Sequence, residues 1–139
     1  MSHPRQLQGR IALVTSAAAA RLLAVGLATR GATVVVATGD EAGAQALAAQ
    51  IARQTGNPHV HPLAIDLRSL PSVRRAARDF ISRYRHLHLL VSDTTVADLG
   101  PFLLAHLLLD TMKQSGGGRI IRVVTDDRHQ IWSATHFRS

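Results

Sequence analysis

The 139-residue chain has no cysteine, which excludes disulfides, thiolate metal sites and a cysteine nucleophile and fits a reducing compartment. Lysine is nearly absent too: Lys113 is the only one among 16 basic residues, which outnumber 9 acidic residues and leave a net charge of +7. Aromatic residues make up 4% of the chain, so the core must be built from Leu, Val, Ile and Ala, and no set of rings is available to stack on bases; a nucleic-acid partner is not expected. Long apolar runs are missing as well. The longest, Phe102 to Leu109, is broken by His106 and is too short to span a bilayer, and Met1 to Gln8 lacks the apolar stretch of a signal peptide. These absences lead to the expectation of a cytoplasmic protein with no membrane span and, at this length, of one domain.

Against this background the stretch from Arg10 to Gly31 is the organising one. Ile11 to Val14 is a short apolar run ending in Thr15-Ser16; Arg21 to Thr29 is rich in Ala and Leu and is closed by Gly31; Thr33 to Thr38 follows at once. The pattern is a buried strand, a turn, a helix and a second strand. In an open parallel sheet the turn after the first strand is where a dinucleotide's diphosphate rests, because free N–H groups and the helix dipole both point there. Glycines normally build that turn, since they let the backbone approach phosphate oxygens. Here it reads Ser16-Ala17-Ala18-Ala19-Ala20, without one glycine.

The rest of the chain repeats the alternation. Asp40 caps an amphipathic helix with Ala44, Leu47, Ala48 and Ile51 on one face, ending near Gly56-Asn57-Pro58. Val60 to Asp66 is a strand whose Pro62 suits a sheet edge, and Ser69 caps a helix through Tyr84 with Pro71 in its first turn. Leu87 to Ser92 is a fourth strand, Phe102 to Met112 a helix apolar nearly all round, and Arg119 to Thr125 a fifth strand. Strands that alternate with helices make a parallel sheet, because each crossover is right-handed and needs a helix to cover a face. The expected architecture is α/β: a three-layer, Rossmann-like, doubly wound parallel sheet of about five strands in the order 3-2-1-4-5. It forms a single domain over 1–139, with its core at 7–125 and residues 126–139 as a loosely held tail. The crevice would lie at the carboxyl ends of strands one and four, between Thr15-Ser16 and Ser92-Asp93.

Several segments carry a more particular wording: Gly9-Arg-Ile-Ala-Leu-Val-Thr15, Arg30-Gly-Ala-Thr-Val-Val-Val-Ala37, and Asp66-Leu67 followed by Ser69 and Val73. Leu89-Leu-Val-Ser92, the run from Leu99-Gly-Pro-Phe102 to Asp110, and Gly118-Arg-Ile-Ile121 complete the series. Collinear over residues 7–125, they resemble the short-chain dehydrogenase/reductase family, nearest its retinol-dehydrogenase-like members. The resemblance implies NADP or NAD as cofactor, with Thr15, Ser16, Ala20, Gly39, Asp66, Leu67 and Ser92 at the binding positions. In the family's TGxxxGxG turn, Ser16 replaces the first glycine, Ala20 the second, and the third is lost. Gly39, followed by Asp40, stands where an arginine often holds the 2′-phosphate of NADP, whereas Asp66 and Leu67 match the pair that contacts adenine. The NNAG motif becomes Ser92-Asp-Thr-Thr95, with a deletion after it down to Leu99. Of the catalytic positions, Ala97 matches the asparagine and Thr125 the serine. The YxxxK pair has no counterpart, since Tyr84 belongs to the third helix and Lys113 precedes the fifth strand.

That pair supplies acid–base catalysis, so its absence implies a truncated family member without dehydrogenase activity. Such a chain would keep weak NAD(P) or adenine-nucleotide binding and would act by association. The alternative is an NADP-dependent, retinol-dehydrogenase-like oxidoreductase acting on a carbonyl or alcohol substrate, of which this chain is an isoform or fragment. The family also uses the helix equivalent to Phe102–Met112 in its dimer interface, which implies a homodimer or association with a related subunit; packing against the sheet is the simpler role of the same helix. His59/His61 and His86/His88 form two H-x-H pairs with the spacing of metal ligands, but the strand order holds them apart, and no metal site is expected. Asp126-Asp127 beside Arg128-His129 reads as a solvated loop.

Overall fold

A computed structural model describes residues 6–15, 18–93, 99–125 and 130–137. The elements run β1 (Ile11–Thr15), α1 (Ala18–Thr29), β2 (Thr33–Thr38), α2 (Glu41–Thr55), β3 (Val60–Ala64), α3 (Leu70–Tyr84), β4 (Leu89–Asp93), α4 (Leu99–Gln114), β5 (Gly118–Thr125) and β6 (Gln130–Phe137). The five parallel strands take the expected order 3-2-1-4-5, and the sheet continues into β6, giving β3-β2-β1-β4-β5-β6. Leu13 of β1 sits between Val35 of β2 and Leu90 of β4, which fixes the register at the centre.

Successive strand residues point to opposite faces, and both faces are covered. On one face Leu13, Val35, Leu63 and Leu90 meet α3 and α4 through Val73, Phe80, Leu104 and Leu108. On the other, Val14, Val34, Val36 and Val91 meet α1 and α2 through Ala24, Ala28, Ala48 and Ile51. The alanines of α1 let that helix lie close to the sheet. Asn57 ties the layers together: buried, it donates to the carbonyls of Ala28 (2.9 Å) and Ala32 (2.8 Å) and accepts from the His59 N–H (2.8 Å). The caps are as expected, with Asp40 accepting from Gly43 N–H at 2.5 Å and Ser69 from Ser72 N–H at 3.3 Å. At the end of α2, Gly56 takes a left-handed conformation (φ 73°) and its N–H bonds to Ala52 O.

Three differences from the sequence-based expectation matter. First, α1 begins at Ala18 rather than Arg21. Alanine is the best helix former, so residues 18–20 join the helix instead of lengthening the turn. Second, α4 starts at Leu99, two residues before Pro101, which places the proline in the first turn where its missing N–H costs nothing. Third, the expected loose tail over 126–139 does not hold for residues 130–137, which pair antiparallel with β5 from Thr125↔Gln130 to Gly118↔Phe137. Ile131, Trp132, Thr135 and Phe137 are β-branched or aromatic and favour a strand, and the pairing covers the edge that β5 would otherwise leave open.

Candidate nucleotide site

In a parallel sheet every strand ends, and every helix begins, at the same side of the molecule. Along that rim the register sets Ala64 of β3 beside Thr38 of β2, Ala37 beside Thr15 of β1, and Val14 beside Val91 of β4. The structure thereby gathers Thr15, Gly39, Asp66, Leu67 and Ser92 on one edge, across three strand spacings or about 14 Å. Ser16 lies outside the described residues, as do Ala97 and the Asp126–His129 group. Ala20 falls in the first turn of α1, and Thr125 closes β5.

At the centre of the rim Thr15 is buried and its Oγ1 donates to the Val91 carbonyl at 3.4 Å, joining the ends of β1 and β4. Ser92, next on β4, is 3% exposed, and its Oγ makes no hydrogen bond among the described residues. A buried hydroxyl left in this way costs free energy and suits a polar ligand atom or a water. Toward β3, the Asp66 N–H donates to Ser72 Oγ (2.9 Å), while its carboxylate accepts from the Arg68 N–H (3.0 Å) and faces the Arg68 guanidinium at 3.5 Å. With its side chain 44% exposed, that carboxylate keeps free acceptor capacity for an amino group.

Leu67 is fixed from the far side. A Cβ placed on Gly100, in the first turn of α4, would stand 1.7 Å from the Leu67 carbonyl oxygen, so only glycine allows α4 to seat against this loop. Gly39 is exposed with open space around it, and Asp40, which follows, is occupied as the cap of α2. Beside Gly39 a cleft of about 400 Å³ opens at the outer edge of β3, lined by Asp40, Glu41, Arg75, Asp79 and Arg83 among others. Ser72 and Gly100 were not singled out by sequence patterning. The first carries the signal of a second hydroxyl three residues after the Ser69 cap, while the second depends on a contact between distant segments.

The residues fit one half of a dinucleotide. Asp66, Leu67 and the unpartnered Ser92 offer polar groups to an adenosine, but only residues 16 and 17 separate β1 from α1, and the first glycine after Thr15 is Gly26, deep in the helix. A diphosphate therefore lacks the glycine cradle that allows close backbone approach. The chain's single tyrosine and single lysine lie at the opposite side of the sheet. Tyr84 ends α3, where it packs on Phe80 and His61 (ring centroids 4.9 and 6.0 Å), and burial raises its pKa despite the neighbouring Arg83; Lys113 is in the last turn of α4. Among the described residues no three His, Asp or Glu side chains gather as metal ligands. One ring of the second histidine pair is also in use, since His88 Nδ1 accepts from the Ile11 N–H at 3.0 Å. No described helix is long and apolar enough to cross a membrane.

Comparison with known proteins agrees with this geometry. The family model described as short chain dehydrogenase matches residues 10–103. The chain is 35% identical over 144 residues to retinol dehydrogenase 11 of Mus musculus, covering 89% of this chain and 46% of that protein. It is 40% identical over 150 residues to polyprenol dehydrogenase of the same organism, covering 93% and 43%. The chain thus spans less than half the length of these relatives. Among solved structures, a gluconate 5-dehydrogenase from Burkholderia cenocepacia in complex with NADP and tartrate superposes with a TM-score of 0.70 at 27% identity, covering 85% of this chain and 54% of the other. A hydroxysteroid dehydrogenase from Escherichia coli gives 0.71 at 24% identity, covering 85% and 56%, a likeness of fold.

Proposed function

The chain belongs to the short chain dehydrogenase family, and from that premise we propose that it is a member that holds an adenine nucleotide weakly and does not transfer hydride. The observation that carries this reading is the placement of Tyr84 and Lys113. They are the chain's only residues of their kinds, and both lie at the side of the sheet away from the crevice. Without a phenol and an ammonium beside the substrate oxygen, this chain has no proton donor matched to hydride transfer, a contribution worth about 10²–10⁴-fold in rate. Bound NAD or NADP would supply the hydride chemistry. What these residues do is narrower: Asp66 accepts from an adenine amino group, Leu67 offers its backbone, and Thr15 and Ser92 line the floor.

The length of the relatives favours a second reading. A chain that aligns with less than half of retinol dehydrogenase 11 can be a piece of an NADP-dependent oxidoreductase acting on a retinoid or another carbonyl compound. Calorimetric titration with NADH, NADPH and adenosine monophosphate separates the two readings. Weak binding, similar for all three ligands, together with no oxidation of NADPH in the presence of retinal, supports the first. Saturable micromolar binding of NADPH with turnover overturns it.

Association is the other part of the proposal. Leu99 and Phe102, at the start of α4, are 69% and 65% exposed, and a second copy of the chain would cover them. Sedimentation velocity on the wild type and on Phe102→Glu tests this: a dimer that the substitution dissociates supports it, and a wild-type monomer at every concentration refutes it.

A further inference from the structure

The parallel topology sorts charge. Helix ends and strand starts share one side of the molecule, opposite the crevice, and that side collects Arg10, Arg30, Arg53, Arg83, Arg85, Lys113 and Arg119, every one of them exposed. No Asp or Glu occurs in the last four residues of α1, α2, α3 or α4, at the first residue of β1 to β5, or in the segments 30–32, 56–59, 85–88 and 115–117 that join them. Among the described carboxylates, Asp40, Glu41 and Asp66 lie at the other side, while Asp79 and Asp110 stand on the exposed bodies of α3 and α4, four residues before Arg83 and three before Lys113.

Five of the seven cations sit at or just past helix ends, where they offset the negative end of the macrodipole. Arg10 and Arg119 stand beside strand starts, where no helix end calls for them. The single ion pair among the described residues, Arg68 with Asp66, is at the crevice side, so none of the seven forms an ion pair, although Arg83 shares the cleft at the edge of β3 with Asp79. Their crowding is felt by their neighbours. His88 is held below its ordinary pKa by burial and then by Arg10 and His86, and His61 by burial and then by His59 and Arg83.

We propose that this basic end of the sheet docks on an anionic lipid surface. The cations are spread in two dimensions. Arg30 and Arg53 end the helices of one layer, Arg10 and Arg119 lie in the sheet plane, and Arg83, Arg85 and Lys113 end the helices of the other layer, over a face of roughly 20 by 30 Å. A planar array of headgroups meets all seven at once, whereas the cylinder of a duplex nucleic acid meets only one row. Among the residues whose burial is described, the exposed large apolar side chains, Leu22, Leu70, Leu99 and Phe102, lie in the first five residues of their helices and so at the other side. Docking through these seven cations is electrostatic and reversible, and it leaves the crevice and the start of α4 free.

The test is co-sedimentation of the full chain with phosphatidylcholine vesicles, with and without about 30 mol% phosphatidylserine. Binding is expected only to the anionic vesicles at about 0.1 M salt and release at about 1 M, where the Debye length falls from about 10 to 3 Å. The double variant Arg85→Gly, Arg119→Ser is expected to bind about 30-fold more weakly, at roughly a tenfold loss for each 1.4 kcal/mol and about 1 kcal/mol per arginine. Arg74→Ser, Arg78→Ser, which removes the same charge from the body of α3, is expected to stay within about threefold of wild type. Glycine suits the left-handed conformation at Arg85 (φ 62°), so the first variant keeps its fold, and thermal melting verifies this. Equal binding to uncharged vesicles, equal weakening by both double variants, or no binding to anionic vesicles at low salt overturns the proposal. Tighter binding to a short duplex DNA than to vesicles, lost in the first variant, assigns the surface to nucleic acid instead and overturns it too.

Discussion

Replacing Gly100 by alanine tests the seat of α4 on the nucleotide rim. In the body of a helix such a change normally stabilises by about 0.8–1.0 kcal/mol, because glycine loses more backbone freedom on folding. Here the new Cβ stands 1.7 Å from the Leu67 carbonyl oxygen and 3.2 Å from its Cα, and real Cβ atoms do not approach closer than 3.0 Å, so helix and loop must part by at least 1.3 Å. The obstacle is backbone and cannot rotate away. Forcing packed elements apart costs about 1–3 kcal/mol or more, and beside Leu104, which is fully buried, it also opens core. The expected net loss is about 2 kcal/mol, or a melting temperature about 6–8 °C lower for a chain of this size. Gly26→Ala is the control. It too is a helical glycine, but the nearest atom to its new Cβ is the mobile Arg30 Nη1 at 3.5 Å, so a gain of about 0.5–1 kcal/mol is expected. Circular-dichroism melts and urea midpoints measure both. A Gly100→Ala protein as stable as wild type would show that α4 is not clamped on Leu67, and the description of the rim would fail with it.

Three further outcomes follow from particular contacts. Asn57→Ala removes the bonds to the Ala28 and Ala32 carbonyls, of which Ala28 still accepts from the Gly31 N–H, and takes the acceptor from the His59 N–H; it should lower the unfolding free energy by about 2–4 kcal/mol with little change in m, and a loss under about 1 kcal/mol in urea unfolding counts against the bridge. Arg85 holds a left-handed conformation without being glycine while its N–H bonds to Ile81 O, so Arg85→Gly should raise stability by about 1 kcal/mol, and a lower melting temperature would contradict this. His88 has its folded pKa depressed, by burial first and then by Arg10 and His86, and its neutral ring accepts from Ile11 N–H. Above the unfolded value of about 6.5 it is neutral in both states, and as pH falls through that value the unfolded chain takes up the proton first and stability declines. Urea midpoints should therefore drop between about pH 7.5 and 5.5, less so in His88→Ala, and a midpoint that holds or rises on acidification would refute the sign.

What the sequence disclosed and what it hid divide by the range of the interaction. Val34, Val35 and Val36 announce a strand buried on both faces, and the alternation of five such runs with helices leaves little choice of topology, because handed crossovers admit few arrangements. Asp40, Ser69 and Gly56 mark helix ends through bonds within four residues. The alanines at 18–20 pulled the other way. Read against a glycine-rich template they look like an altered loop, but their own propensity is helical, and the structure leaves only residues 16 and 17 between Thr15 and α1. The strand at 130–137 was hidden because its apolar residues, Ile131, Trp132, Ala134 and Phe137, do not alternate with period two, and its partner is the distant edge of β5. Neither the seat of Gly100 on Leu67 nor the unpartnered hydroxyl of Ser92 has any local signature, since each depends on segments that folding brings together. The same distinction bears on what the rim can hold. Asp66 and Leu67 are held by contacts between separate segments, Asp66 through Ser72 and Leu67 through Gly100, whereas the turn after β1 is short and local, so substitutions of the family's glycines there leave the packing of the core untouched.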